Sequence, residues 1–330
     1  MRICLISSLC FVLCFPSVSQ SFGQQRPEDS CDVPLVVTRF VPSSKTVELI
    51  KNLGPKDLTV QLGAVPGTLE SVSIDDGPKR LALVLDASDA IPADEWKLQT
   101  KMAAKLVQHA RPDDRFALLF VGIESPVRGF LSSGEVVREL QNLSASRPMV
   151  TESGERIYDA LLAAANRLNP PQFGDVLFLF GHPEDSGSKT DADELMELIL
   201  KNRLRFYAVS FSDPLRGKLP PGFDLNKPLP ATVIRPNLTK MTAATGYMFS
   251  FHSIESLNYP RQIPLFEGYL ADLYAGIAEP YRLKLAMPNT RGEVKLEIVV
   301  NNSKERNINE WDIRYPHSIY PCLPSAPTTR

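Results

Sequence analysis

The chain has 330 residues, 43% of them hydrophobic, enough for one large domain or for a medium domain with a smaller companion, with a real core. Its 36 basic and 38 acidic side chains nearly cancel to a formal charge of -2, with no polybasic block to point to nucleic acid or to an anionic membrane surface.

At the N-terminus Arg2 precedes an uncharged apolar run over 3–15, then small and polar residues with cleavage expected after Ser19 or Gly23. This is the pattern of an export signal over 1–23, so the expected location is secreted or periplasmic. The run is shorter than the roughly 18 to 20 residues a spanning helix needs, and no later stretch is long and charge-free, so no integral membrane segment is expected after signal removal. Leu13, bulky where a lipidation signal wants a small residue, argues against a lipid anchor on Cys14. Signal removal takes away Arg2 and leaves a charge of -3. Cys4, Cys10 and Cys14 leave with it. Cys31 and Cys322 remain, one near each end, and in an exported chain two such cysteines favour a disulfide over two buried free thiols.

Over 24–77 the chain reads as short strands: Leu35, Val37, Arg39 and Val41 fall on alternate positions, and Leu58-Thr59-Val60-Gln61-Leu62 alternates apolar with polar. The pattern changes at Leu81-Ala82-Leu83-Val84-Leu85, a continuous apolar run ending at Asp86, which suits a strand buried on both faces of a parallel sheet. Helical spacing follows over 93–110, then a second buried strand over 116–121. Helices are expected over 134–143, 155–168 and 191–202, with strands over 175–180 and 204–211. This alternation implies an α/β fold with a doubly wound, mostly parallel sheet over 78–278. Pro220, Pro221, Pro228, Pro230 and Pro236 mark an irregular loop before helices at 237–245 and 264–278. From Tyr281 the period returns to two, with Tyr281, Leu283 and Leu285, then Val294, Leu296 and Ile298, on one face. The strands of 24–77 and 279–322 are expected to form one small β subdomain into which the α/β domain is inserted, followed by a tail over 323–330.

Asp86-Ala87-Ser88-Asp89-Ala90, directly after the first buried strand, resembles the D-x-S-x-S metal loop of von Willebrand factor A domains. Ser153-Gly154-Glu155-Arg156-Ile157-Tyr158-Asp159-Ala160-Leu161 resembles that fold's G-G-T-x-L-Y-D-A-L turn and helix. The strand 176–180 followed by Gly181-His182-Pro183-Glu184-Asp185 resembles its strand ending in T-D-G. The flanks are similar to the bacterial secreted members of the family, through Leu53-Gly54-Pro55-Lys56-Asp57-Leu58-Thr59-Val60, Thr245-Gly246-Tyr247-Met248-Phe249 and Tyr281-Arg282-Leu283.

The resemblance implies a site at the carboxyl ends of the strands, where the family's metal-ion-dependent adhesion site (MIDAS) sets oxygen ligands around a small divalent ion. Asp86 and Ser88 match that set. Ala90 removes a hydroxyl, Glu155 replaces a threonine and Gly181 replaces an aspartate, so the motif is degenerate and no metal or other cofactor is expected. Ligation by Glu155, or by Asp185 reaching back through a longer loop, are the ways it would survive. Asp86, Asp89 and Glu155 are expected to share one face, either as hydrogen-bonded and solvated groups or as an acidic patch that receives a partner's Lys or Arg, with Ser88 and His182 beside them.

The expected function is a non-enzymatic protein-binding module. The alternatives are a structural component of an envelope assembly and a hydrolase built from Ser88, His182 and Asp86. No nucleophile elbow, phosphate loop, H-E-x-x-H pair or metal-ligand cysteine cluster occurs.

Overall fold

The computed structural model describes residues 30–41, 46–123, 129–149, 155–182, 185–210, 237–246, 249–251, 262–287, 292–301 and 311–321. The expected signal, the proline-rich loop, Cys322 and the tail lie outside the described residues.

The runs β6 (Arg80–Asp86), β7 (Arg115–Val121), β8 (Val176–Phe180) and β9 (Arg205–Ser210) are rich in aliphatic and aromatic side chains and largely buried. With β10 (Phe249–Phe251) they form one parallel sheet in the order β10-β9-β8-β6-β7. The helices are α1 (Ala93–Gln108), α2 (Ser133–Ala145), α3 (Ile157–Arg167), α4 (Ala192–Lys201), α5 (Asn237–Thr245) and α6 (Gln262–Ala278). Alternate strand residues face opposite ways, so both faces need a helical cover. Leu81, Leu83, Leu85, Phe178 and Phe180 pack against Trp96, Met102 and Leu106 of α1, Val136 and Leu140 of α2, and Leu270 and Ile277 of α6. Ala82, Val84, Leu177, Leu179 and Phe206 pack against Ile157 and Leu161 of α3, Leu195 and Ile199 of α4, and Leu238 and Met241 of α5. The sheet is doubly wound, as the βα alternation predicts.

Several helix ends differ from the sequence expectation by one or two residues, two of them for evident local reasons. Helix α1 stops at Gln108 rather than at 110, just ahead of Arg111-Pro112, because proline disfavours helical geometry in the residue before it. Helix α3 starts at Ile157 rather than at 155, because the Glu155 carbonyl accepts the Ser186 and Gly187 N–H groups and Arg156 is non-helical. Helix α2 runs over Ser133–Ala145 against the expected 134–143, and a capping box fixes its start: the Ser132 N–H donates to Glu135 Oε2 at 2.8 Å.

The N-terminal edge of the sheet carries a dense ionic network. Lys79, 1% exposed, donates through Nζ to Asp75 Oδ2 (2.8 Å) and to the Gly77 carbonyl (2.6 Å), while its N–H donates to Asp114 Oδ1 (2.7 Å). Asp114 also accepts the Arg111 N–H at 2.9 Å and the Tyr274 hydroxyl at 2.6 Å, which ties α6 to the strands. Burial alone would raise the Asp114 carboxyl, but the bonds from Tyr274, Lys79 and Arg111 outweigh it and hold it below the usual range. Arg80 forms a fork with Asp175 (2.9 and 2.5 Å), and the fully buried Arg205 donates to the carbonyls of Gly174 (2.5 Å), Gly276 (3.3 Å) and Ile277 (2.9 Å).

Strands from the two chain ends pair with each other. The first sheet contains β1 (Ser30–Val41), β2 (Thr46–Leu49), β5 (Thr68–Ile74), β11 (Tyr281–Ala286) and β13 (Trp311–Arg314), with β11 antiparallel between β1 and β5. The second runs β14 (Ser318–Ile319), β12 (Val294–Val300), β3 (Leu58–Leu62), β4 (Val65–Pro66). Both β3 and β12 alternate buried with exposed along their length, matching the period-two pattern. Val33, Leu35 and Val37 meet Leu58, Val60, Leu283, Leu296 and Ile298 in one shared core. Cys31 lies opposite Leu285 and is disulfide-bonded. Gly246 explains itself at one contact: φ is +72°, and a Cβ there would stand 1.3 Å from the Tyr315 carbonyl oxygen. Among the described residues no helix is long and apolar enough to cross a membrane.

Candidate functional site

The strand order reverses beside β6: the chain leaves β6 through α1 to β7 on one side, while β8 lies on the other. The crevice at such a switch point, outside the carboxyl ends of the strands, is where open α/β sheets place their sites. Asp86 ends β6 there and is fully buried. Its Oδ1 accepts the Ser88 N–H at 3.0 Å, its Oδ2 accepts the His182 N–H at 3.2 Å, and its own N–H donates to Gln99 Oε1 at 3.2 Å. Asp86 therefore fastens two loops through the backbone. Gly181 directly follows the neighbouring strand β8, and a Cβ at that position would lie 2.7 Å from the Asp86 Cβ. The position where the resembling family carries its second aspartate has no room for a side chain in this backbone.

A set of buried polar groups lies under this loop that sequence reasoning missed. Glu95 is 3% exposed and Gln99 wholly buried, one turn apart on the inward stripe of α1 that also holds Met102 and Leu106. That spacing was the available signal: 95 and 99 fall in register with the apolar positions, so α1 has to bury both. The Ser88 Oγ is buried with no hydrogen-bond partner, while the Glu95 carboxyl interacts with the Gln99 amide one turn along α1. Burial first, and then the charge of Asp86, push the Glu95 carboxyl up to about 7.

The expected acidic face does not form as one surface. Asp86 and Ser88 point into the protein, because the carboxylate is drawn to the inward N–H groups, whereas Asp89 and Ala90 are exposed. Glu155 is half-buried, with its Oε1 3.4 Å from His182 Nδ1. Asp185 does not reach back to Asp86. It accepts the Tyr158 N–H at 3.1 Å and the Ser188 hydroxyl at 2.6 Å, so it anchors the start of α3 to its own loop. Asp159, matching the family's D-A-L aspartate, accepts the Thr190 N–H and hydroxyl (2.9 and 2.6 Å); these and neighbouring bonds outweigh burial and keep its carboxyl low. The hydrolase constellation is not brought together either: His182 meets Asp86 through its backbone, its ring faces Glu155, and the Ser88 hydroxyl has no base.

Both Asp86 oxygens accept backbone N–H groups, position 90 has no hydroxyl, and position 181 has no space for a carboxylate. Among the described residues no three His, Cys, Asp or Glu side chains are grouped to hold a metal. The 87–91 turn is instead met by Arg147, from just beyond α2. Its Nη1 donates to the Ile91 carbonyl at 2.7 Å, and its Nη2 donates to the carbonyls of Ala87 (2.8 Å) and Ser88. The guanidinium sits 5.9 Å from the Trp96 ring centroid.

No protein-family model and no curated protein sequence matches the chain. Among solved structures it is similar to a von Willebrand factor type A protein from Catenulispora acidiphila, at 9% identity and a TM-score of 0.43 over 80% of this chain and 72% of that one. It is also similar to BatB from Bacteroides thetaiotaomicron (13%, TM-score 0.40, 59% of this chain and 100% of that one). A third likeness is to the human COPII-coat protein Sec24c (9%, TM-score 0.42, 74% of this chain), of which the chain spans only 44%. The parallel sheet with its switch point at Asp86 agrees with the fold that the resemblance of the motifs to von Willebrand factor A domains implies.

Proposed function

We propose that this chain, with an α/β unit of von Willebrand factor A type, is an exported, non-enzymatic protein-binding module that works without a bound metal. The strands of the two chain ends act as the β subdomain on which that unit is mounted, and the Cys31–Cys322 disulfide closes the mount. The observation that carries the reading is the Asp86 carboxylate held by the Ser88 and His182 N–H groups, because it fixes the switch-point loops with protein atoms alone. Asp89 is exposed beside them, ready for a charge-assisted contact from a partner's Lys or Arg. Met149, 84% exposed just beyond Arg147, adds an apolar side chain of the adaptable kind that binding surfaces use.

The test is cross-linking capture from native envelope extract with wild type and Asp89→Arg, each in EDTA and in millimolar Mg²⁺. The expected result is a partner captured equally in both conditions by wild type and lost in the variant. Capture that requires Mg²⁺, or that ignores the charge reversal, overturns the reading. Esterase or phosphatase turnover by the purified chain would overturn it from the enzymatic side.

A further inference from the structure

The 87–91 turn presents three carbonyl oxygens, those of Ala87, Ser88 and Ile91, to one place, and such a convergence needs positive charge. Arg147 supplies it with two arms of one planar fork. The fork is itself fixed from behind: Trp96 lies against the guanidinium, and the Trp96 Nε1–H donates to the Leu143 carbonyl at 2.9 Å, tying α1 to the last turn of α2 just before Arg147. Apart from Arg147, the described bonds on the turn's backbone are longer, from Ala87 N–H to the Val121 carbonyl at the end of β7 (3.3 Å), Ser88 N–H to Asp86 (3.0 Å) and Ile91 N–H to Ser88 (3.1 Å).

We propose that Arg147 is the positioning residue of the binding site, a built-in cation whose guanidinium holds the 87–91 turn so that Asp89 and Ala90 are presented in a set geometry without any metal ion. A guanidinium suits this place because its donors lie in one rigid plane and its charge is permanent, while a lysine offers only a point charge on a flexible stem. The inference rests on the binding function proposed above, but it is tested in the absence of a partner, so the two can fail separately.

The test is amide hydrogen exchange on the purified chain, comparing wild type, Arg147→Met and Arg147→Lys in EDTA and in Mg²⁺. In Arg147→Met the amides of Ala87, Ser88 and Ile91 are expected to exchange about tenfold faster or more, as local opening becomes easier. The Arg115 and Arg205 amides, bonded to Lys79 and Asp175 at the opposite edge of the sheet, serve as the control and stay unchanged. Arg147→Lys recovers part of the protection because the charge remains while the fork is lost. Wild type is indifferent to EDTA. The proposal is overturned if Arg147→Met leaves the three turn amides as they were, if lysine protects no better than methionine, or if EDTA alone loosens the wild-type turn. Should Arg147→Met speed exchange at both edges alike, Arg147→Lys decides: faster exchange confined to the turn supports the proposal, and faster exchange at both edges or at neither overturns it.

Discussion

The two edges of the parallel sheet handle buried polarity in opposite ways. At the N-terminal edge Lys79, Asp114, Arg205 and Asp175 are almost wholly buried, and their charges meet partners supplied by β6, β7, β9, α6 and the connecting loops. At the C-terminal edge Ser88, Glu95 and Gln99 are just as deeply buried, yet the charges that face the Glu95 carboxyl, those of Asp86, Asp94 and Glu155, are of like sign, and the Ser88 hydroxyl has no partner. A network of paired opposite charges fixes one arrangement, whereas like charges and an unpaired hydroxyl in a dry interior raise the free energy of the arrangement that holds them. The first edge is where the molecule is held together. The second carries destabilisation at the place where the fold puts its binding crevice, the division expected when stability and function are assigned to different ends of one sheet.

Substitutions at the two edges should therefore differ in size and even in sign. The largest effect is expected from Asp114→Ala, which strips the Lys79 and Arg111 N–H groups and the Tyr274 hydroxyl of their acceptor inside the protein. A loss of about 3 to 5 kcal/mol in urea unfolding is expected, since removing one member of a buried charged network leaves the others uncompensated. A loss below about 1 kcal/mol would show that this edge is not what holds the sheet.

Glu95→Gln should act in the other direction. The folded-state carboxyl titrates near 7, above its ordinary value of 4.5, so the folded protein holds the proton more tightly than the unfolded chain does. The stabilisation this gives is complete below about pH 4.5 and is lost as the pH rises through 7. Wild type should thus lose stability over that window, and Glu95→Gln should flatten the profile and be more stable at pH 8 by about 2 to 3 kcal/mol. Urea midpoints at pH 5 and 8 for both proteins check it, and parallel profiles would remove the asymmetry between the edges. The smallest effect belongs to Ser88→Ala, expected to be neutral or to stabilise by up to about 1 kcal/mol, because a hydroxyl with no partner is desolvated without return. Calorimetric melting would show a clear loss if this hydroxyl were bonded after all.

What could be read from the sequence followed the range of each signal. The run 81–85, the 3.6-residue spacing of α1 and the alternation of β3 and β12 are local patterns, and the elements stand where these patterns put them. Asp86 was legible because one short motif after one strand sets its place. The outward turn of Asp89 was not, since it depends on Asp86 being drawn to the N–H of His182, 96 residues away. Arg147 meets Ala87 across 60 residues, and Tyr274 meets Asp114 across 160, so neither contact leaves a mark in local periodicity. Glu95 was within reach: an acidic residue in register with an apolar stripe is a buried carboxyl, and that register was present in the sequence.

The pairing of β1 with β11 bears on the order in which the molecule can be assembled. Ser30 is registered against Ala286 and Leu35 against Tyr281, so the first strand to emerge from synthesis waits for a neighbour near the other end of the chain. At roughly 5 to 20 residues per second the roughly 250 intervening residues take on the order of 12 to 50 s, ample time for the α/β unit to close its own sheet first. Through that interval β1 offers an apolar strand with no neighbour on the β11 side, a template for adhesion to other chains. A chain built this way benefits from being kept unfolded, or shielded by a chaperone, until its last strands arrive.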